Sequence, residues 1–226
     1  VAVAIVLLCG AAWRPALAAV APIGTVFGTV LDLEGKQIPL PQGEWVLVGD
    51  AFEIIPSVLG GDGDAVESVV LFRVEGKTVA AFVIAHRNGV GVDKGWGVSS
   101  DCDRQDIHAA VTYDEADNHG FCGFVNHVVT ATDDRSAESW KQAVAYAQSH
   151  GLALAPTWLM AGFRLSDASD VVDVRYHFDP ALAGLATPAA TGWSESKWSK
   201  SAVAGTPAAS EGWGDAARRC SAAQER

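Results

Sequence analysis

The chain has 226 residues, of which 49% are hydrophobic, 19% charged and 8% aromatic. These values are ordinary for a folded globular protein and exclude collagen-like, coiled-coil and wholly disordered chains. Sixteen basic residues against 27 acidic ones give a net charge of −11, which repels phosphate backbones and anionic lipid surfaces and so argues against nucleic-acid binding.

The first 18 residues read as a secretory signal peptide. Val1 to Trp13 is an apolar run of 13 residues, short of the roughly 20 that a bilayer needs, and Ala16-Leu17-Ala18 forms an A-x-A cleavage site. No basic segment precedes the run, and Leu8 before Cys9 is too large for a lipoprotein site. Cleavage after Ala18 removes only Arg14 among the charges, leaving 15 basic and 27 acidic residues and a net charge of −12. No later segment reaches membrane-spanning length. The expected product is exported, periplasmic or extracellular, with an α+β domain over 19–180 and an Ala/Gly/Ser-rich tail over 181–226 packed on it.

Residues 23–130 carry strand patterns. Two apolar pairs flank the turns Glu34-Gly35-Lys36 and Glu75-Gly76-Lys77, which align at an offset of 41 residues. Two turns of similar chemistry explain that match as well as a duplication does. The acidic loop Gly60 to Asp64 lacks the carboxylate spacing of a calcium loop. Residues 87–100, rich in glycine around Trp96, read as a long loop and a candidate binding edge.

A third hairpin joins 107–113 to 121–130. Centring its turn on Asp117 pairs residues whose numbers add to about 234, so Cys122 faces Thr112. A helix follows from about Ser136 to Ser149, with Trp140, Ala143, Val144 and Ala147 as its apolar stripe and Gly151 as its stop. Pro156 to Leu165 is apolar and fits either a strand or a short helix. In 172–178, Val172, Val174, Tyr176 and Phe178 alternate with Asp173, Arg175 and His177, which predicts one buried and one wet face. His86 and His150 read as closing a strand and a helix. The fold class is α+β: an antiparallel sheet of about six to seven strands, one long helix packed on it, and an irregular tryptophan-containing C-terminal tail with a short helix near 210–219.

In an oxidising compartment two of Cys102, Cys122 and Cys220 should pair. Cys102–Cys122 ranks first and a bond to Cys220 close behind, because the hairpin register brings Cys102 to Cys122 only if the chain folds back. The same register gathers Cys122, His108 and Asn126 on one face, the residue types of a thiol nucleophile, its base and an orienting amide, unless a disulfide consumes the thiol. A second constellation, Asp103, Asp106, His108 and His127, could hold a divalent metal, although a solvated acidic loop is the simpler account. No nucleophile elbow, phosphate loop or dinucleotide fingerprint is present. No catalytic residues and no cofactor are therefore assigned.

The expected function is that of a non-enzymatic binding or assembly module of the cell envelope, taking an unknown protein or small ligand. Trp96, Trp193 and Trp198 are its contact candidates. The alternatives are a secreted hydrolase or metal-dependent enzyme built on the 101–127 hairpin, and a carrier of apolar ligands in a cupped sheet.

Overall fold

A computed structural model describes residues 20–55, 64–88, 96–116, 119–130, 136–185 and 192–204. Its elements are β1 (Val26–Phe27), β2 (Val30–Leu33), β3 (Lys36–Pro39), β4 (Trp45–Ile55), β5 (Asp64–Glu75), β6 (Thr78–Asn88), β7 (Ala109–Ala116), β8 (His119–Val129), α1 (Glu138–Ser149), β9 (Thr157–Ser166), β10 (Val171–Phe178) and the short α2 (Lys200–Ala204). Eight strands form one antiparallel sheet in the order β1-β4-β5-β6-β10-β9-β8-β7, and β2 and β3 pair separately. The strand count exceeds the six to seven expected, and the helix runs for 12 residues. No helix among the described residues is long and apolar enough to cross a membrane.

The two Glu-Gly-Lys turns are both real but close different structures. In the first, Leu33 faces Lys36, so Glu34 and Gly35 alone make the turn, and both have positive φ (50° and 86°). That primed geometry suits the strand twist and favours glycine at its second position. The second turn joins β5 and β6 at the middle of the main sheet.

Burial on both sides of the sheet explains the main departure from the sequence pattern. The β2–β3 hairpin covers one face, sealing Leu31, Leu33 and Ile38 over Val69, Leu71, Val83 and Val174. On the opposite face, α1 seats Ala143 and Ala147 over Val48, Val70, Phe72, Phe82 and Trp158. Phe82 is the hub, with the rings of Trp140, Trp158 and His177 at 4.9, 4.8 and 3.9 Å. Because β10 lies inside the sheet, its polar side is enclosed: Asp173 and His177 are buried, not wet as the alternation suggested. The apolar run after Pro156 is a strand, β9, between β8 and β10.

The N-terminus of α1 has no side-chain cap from its own N-cap residue, Ala137. Glu53 of β4 supplies one instead, accepting from Ser139 N (3.0 Å) and Ser139 Oγ (2.6 Å), which places a carboxylate against the positive end of the helix. Such a close approach requires Gly49, where a methyl group would overlap the Ser139 carbonyl. Gly49→Ala should lift the helix and destabilise by about 2 kcal/mol. An unchanged urea midpoint would show that the helix does not rest on β4.

Candidate functional site

The segment ahead of β7, residues 98–107, folds back onto the helix face of β8 and β9. A short 3-10 turn over Ser100–Asp103, capped by the Ser99 side chain, carries Cys102 to Cys122, and the two form a disulfide. The hairpin register is as read, with Thr112 opposite Cys122 and a bulge between Thr112 and Asp114. The thiol reading is corrected by this bond, since Cys122 has no thiol to offer. The disulfide is buried with Ile107, Phe124 and Met160. Gly162 leaves room for the Phe124 ring, which lies over it.

His108 and His127 stand with ring centroids 5.9 Å apart, and both hold the tail. His108 Nε2 donates to the Trp198 carbonyl (2.7 Å) and His127 Nε2 to the Trp193 carbonyl (2.9 Å). A carbonyl only accepts, so each ring carries its proton on Nε2. Trp193 stacks on His127 at 4.8 Å and donates from Nε1 to the His127 carbonyl. Arg104 lies over the Trp193 ring and grips Asp106 through two contacts of 2.8 and 2.9 Å. Burial pushes both histidines below the usual imidazole range. Asp103, Asp106, His108 and His127 are therefore not brought to one point, and no three His, Cys, Asp or Glu side chains among the described residues converge as metal ligands.

The three tryptophans are largely spent on the fold. Trp96, placed at a binding edge by the sequence, is 4% exposed and packs on Val66 and Val171. Arg164 fixes its backbone by donating to the Trp96 and Gly97 carbonyls at 2.9 and 3.1 Å. Trp198 is buried and Trp193 partly buried. Cys220, Trp213 and the helix expected at 210–219 lie outside the described residues.

Sequence reading missed a polar row across the helix face. Ser139 Oγ meets Ser68 Oγ at 2.8 Å; Ser68 is the register partner of His86, and His86 of Asp173. Arg175 binds Asp173 at 2.9 Å and Asp101 at 3.1 Å. Burial pushes the Asp173 carboxyl up, but Arg175, His86 and Arg164 hold it below the usual range. Burial likewise lowers His86. Ser68, His86 and Asp173 are the residue types of an acyl-transfer triad, yet Ser68 is fully buried and its hydroxyl is engaged by Ser139. The row acts as an internal brace linking α1 to the 96–106 segment. Its members come from five separate stretches of chain, so no local motif could announce it.

The surface left open is on the hairpin face beyond β10. The β2–β3 hairpin reaches only as far as β10, where Tyr176 Oη donates to the Pro39 carbonyl. Past it, alternation aims Val111 and Tyr113 of β7, Phe121 and Val125 of β8, and Phe163 and Leu165 of β9 outward together. Val111, Tyr113 and Leu165 are 49%, 46% and 52% exposed. Tyr113 stacks on Phe121 at 4.6 Å, and the Tyr113 and Phe163 rings close over Gly123. Within these rows no side chain is charged until Asp114, which binds His119 at 2.8 Å at one end. The signal was legible in the apolar run Thr157 to Phe163, too hydrophobic on both sides for a strand with one wet face.

No protein family, no curated protein and no solved structure matches the chain.

Proposed function

We propose that this protein is an exported, disulfide-braced binding module that engages its partner through the open apolar face of β7, β8 and β9. The observation that carries this reading is a continuous uncharged apolar face, bearing Val111, Tyr113 and Leu165, on a chain of net charge −11. Contiguous exposed apolar surface of this kind marks interaction sites in soluble proteins. The A-x-A site after the first apolar run and the Cys102–Cys122 bond both suit an oxidising compartment. The engagement of His108 and His127 by tail carbonyls favours binding over hydrolysis at the 101–127 hairpin. The tail tryptophans, in this reading, strap the module together and leave contact to the sheet.

The test is the double substitution Val111→Thr/Leu165→Thr. Threonine is β-branched and favoured in strands, as Val111 is, while removing apolar surface at both positions, so stability should change by about 1 kcal/mol or less. Retention on a hydrophobic-interaction column should shorten. A loss of about 3 kcal/mol or more would mean that the face is packed inside the protein, and the reading would fail.

A further inference from the structure

Resting on that reading, we infer that the partner is an extended segment of alternating apolar and basic residues that adds to the sheet as a strand beside β7. Among the described residues β7 is the last of the eight strands and is paired on one side only, and six of its eight residues are exposed. An edge of this length offers unpaired N–H and C=O groups to an incoming chain. At the opposite edge β1 covers only Trp45 and Val46 of β4, and beyond it Asp50 N–H is taken by the Gln142 side chain and Glu53 is engaged with Ser139, while the uncharged face of β7, β8 and β9 lies at the other end of the sheet.

The apolar face borders this edge. A strand laid against β7 brings every second side chain alongside Val111 and Tyr113, continuing the uncharged surface, while main-chain hydrogen bonds supply register. Charge then selects among occupants. Asp114 and Glu115 close the far half of β7, and the chain carries 27 acidic against 16 basic residues. Two copies therefore repel each other at this edge, and the bulge at Tyr113 twists it further from self-pairing. A segment carrying Lys or Arg meets complementary charge at the same place.

The probe is a fluorescent ten-residue peptide of alternating Val and Lys with blocked ends. Its comparators are a Val/Glu peptide and a Val/Lys peptide N-methylated along one edge. Anisotropy titrations should show saturable binding of the unmodified basic peptide, weakened roughly tenfold by N-methylation, because several main-chain hydrogen bonds are lost. Binding should weaken by a similar factor in Val111→Thr/Leu165→Thr. It should also weaken in Asp114→Asn/Glu115→Gln, with a shallower salt dependence. The Val/Glu peptide should not bind.

Equal affinity for the N-methylated peptide, binding of the Val/Glu peptide, or no binding of any peptide would overturn strand addition. If Val111→Thr/Leu165→Thr still folded and eluted early from the hydrophobic column in that case, the contact-face reading would stand without it. A dimer that forms in solution and is broken by the same double substitution would instead assign the edge to a second copy and overturn the basic-segment proposal.

Discussion

Lowering the pH from 7.5 to 5 is expected to cost the folded protein about 2 kcal/mol through His177 alone. His177 is buried, lies flat on Phe82 at 3.9 Å, and is pushed down to about 3 by burial and by nearby Arg175. Its ordinary value is 6.5, so below that pH the unfolded chain takes up a proton that the folded chain refuses. The stability it contributes is thus complete above 6.5 and drains away as the pH falls toward 3. His86, His108 and His127 are lowered too, chiefly by burial, and add losses of the same sign.

Glu67 and Asp50, under the β2–β3 hairpin with Arg87, act in the opposite sense. Burial raises both, so acid relieves them in the folded state. His177→Phe separates these contributions, since phenylalanine keeps the ring contact and removes the proton site. Urea denaturation at several pH values between 5 and 6.5 should show a stability slope smaller in the variant by about half a proton at pH 6.5 and nearly one at pH 5, or about 0.7 rising to about 1.3 kcal/mol per pH unit. Identical slopes would place His177 in contact with water and contradict its burial.

Loss of the Cys102–Cys122 bond is expected to destabilise by about 3 kcal/mol, the loop-closure value for a separation of 20 residues. The consequence is wider than the loop. The bond anchors the segment that carries Ile107 and His108, and His108 in turn holds the Trp198 carbonyl. Cys102→Ala/Cys122→Ala should therefore lower the urea midpoint and speed amide exchange at residues 196–203 together. A matched midpoint for the oxidised and double-alanine proteins would reduce the bond to a by-product of compartment. A lowered midpoint with unchanged exchange over 196–203 would show that the tail holds on without it.

The sequence made several local features legible because local chemistry decides them. Glu34-Gly35 forms its turn because a primed turn favours glycine at its second position, and Gly151, at φ 63°, stops α1 as its position implied. The 107–130 hairpin register was readable because two apolar runs around a short turn permit few pairings. The apolar stripe of α1 pointed to Ala143 and Ala147, both of which are buried. None of these required knowledge of what lay above or below the sheet.

What the sequence by itself determined was the turns, the 107–130 hairpin, the helix that follows it and an acidic composition, and it ranked the cysteine pairing that forms first among its alternatives. Tertiary structure decided which faces are wet. Asp173, Arg175 and His177 alternate like a solvent-facing side, yet β10 sits mid-sheet and α1 with the 96–106 segment closes over them. Trp96 lies in a glycine-rich stretch that reads as an exposed loop, yet Arg164 from β9 pins its backbone and its ring fills a gap between Val66 and Val171. Conversely, Val111 reads as an ordinary strand residue and Leu165 as the end of an apolar run that fits a strand or a helix, and both are left open, because the β2–β3 hairpin spans only half the sheet. Side-chain alternation fixes which residues share a face, whereas the elements packed on that face come from distant sequence, so only the assembled chain determines which face remains open to a partner.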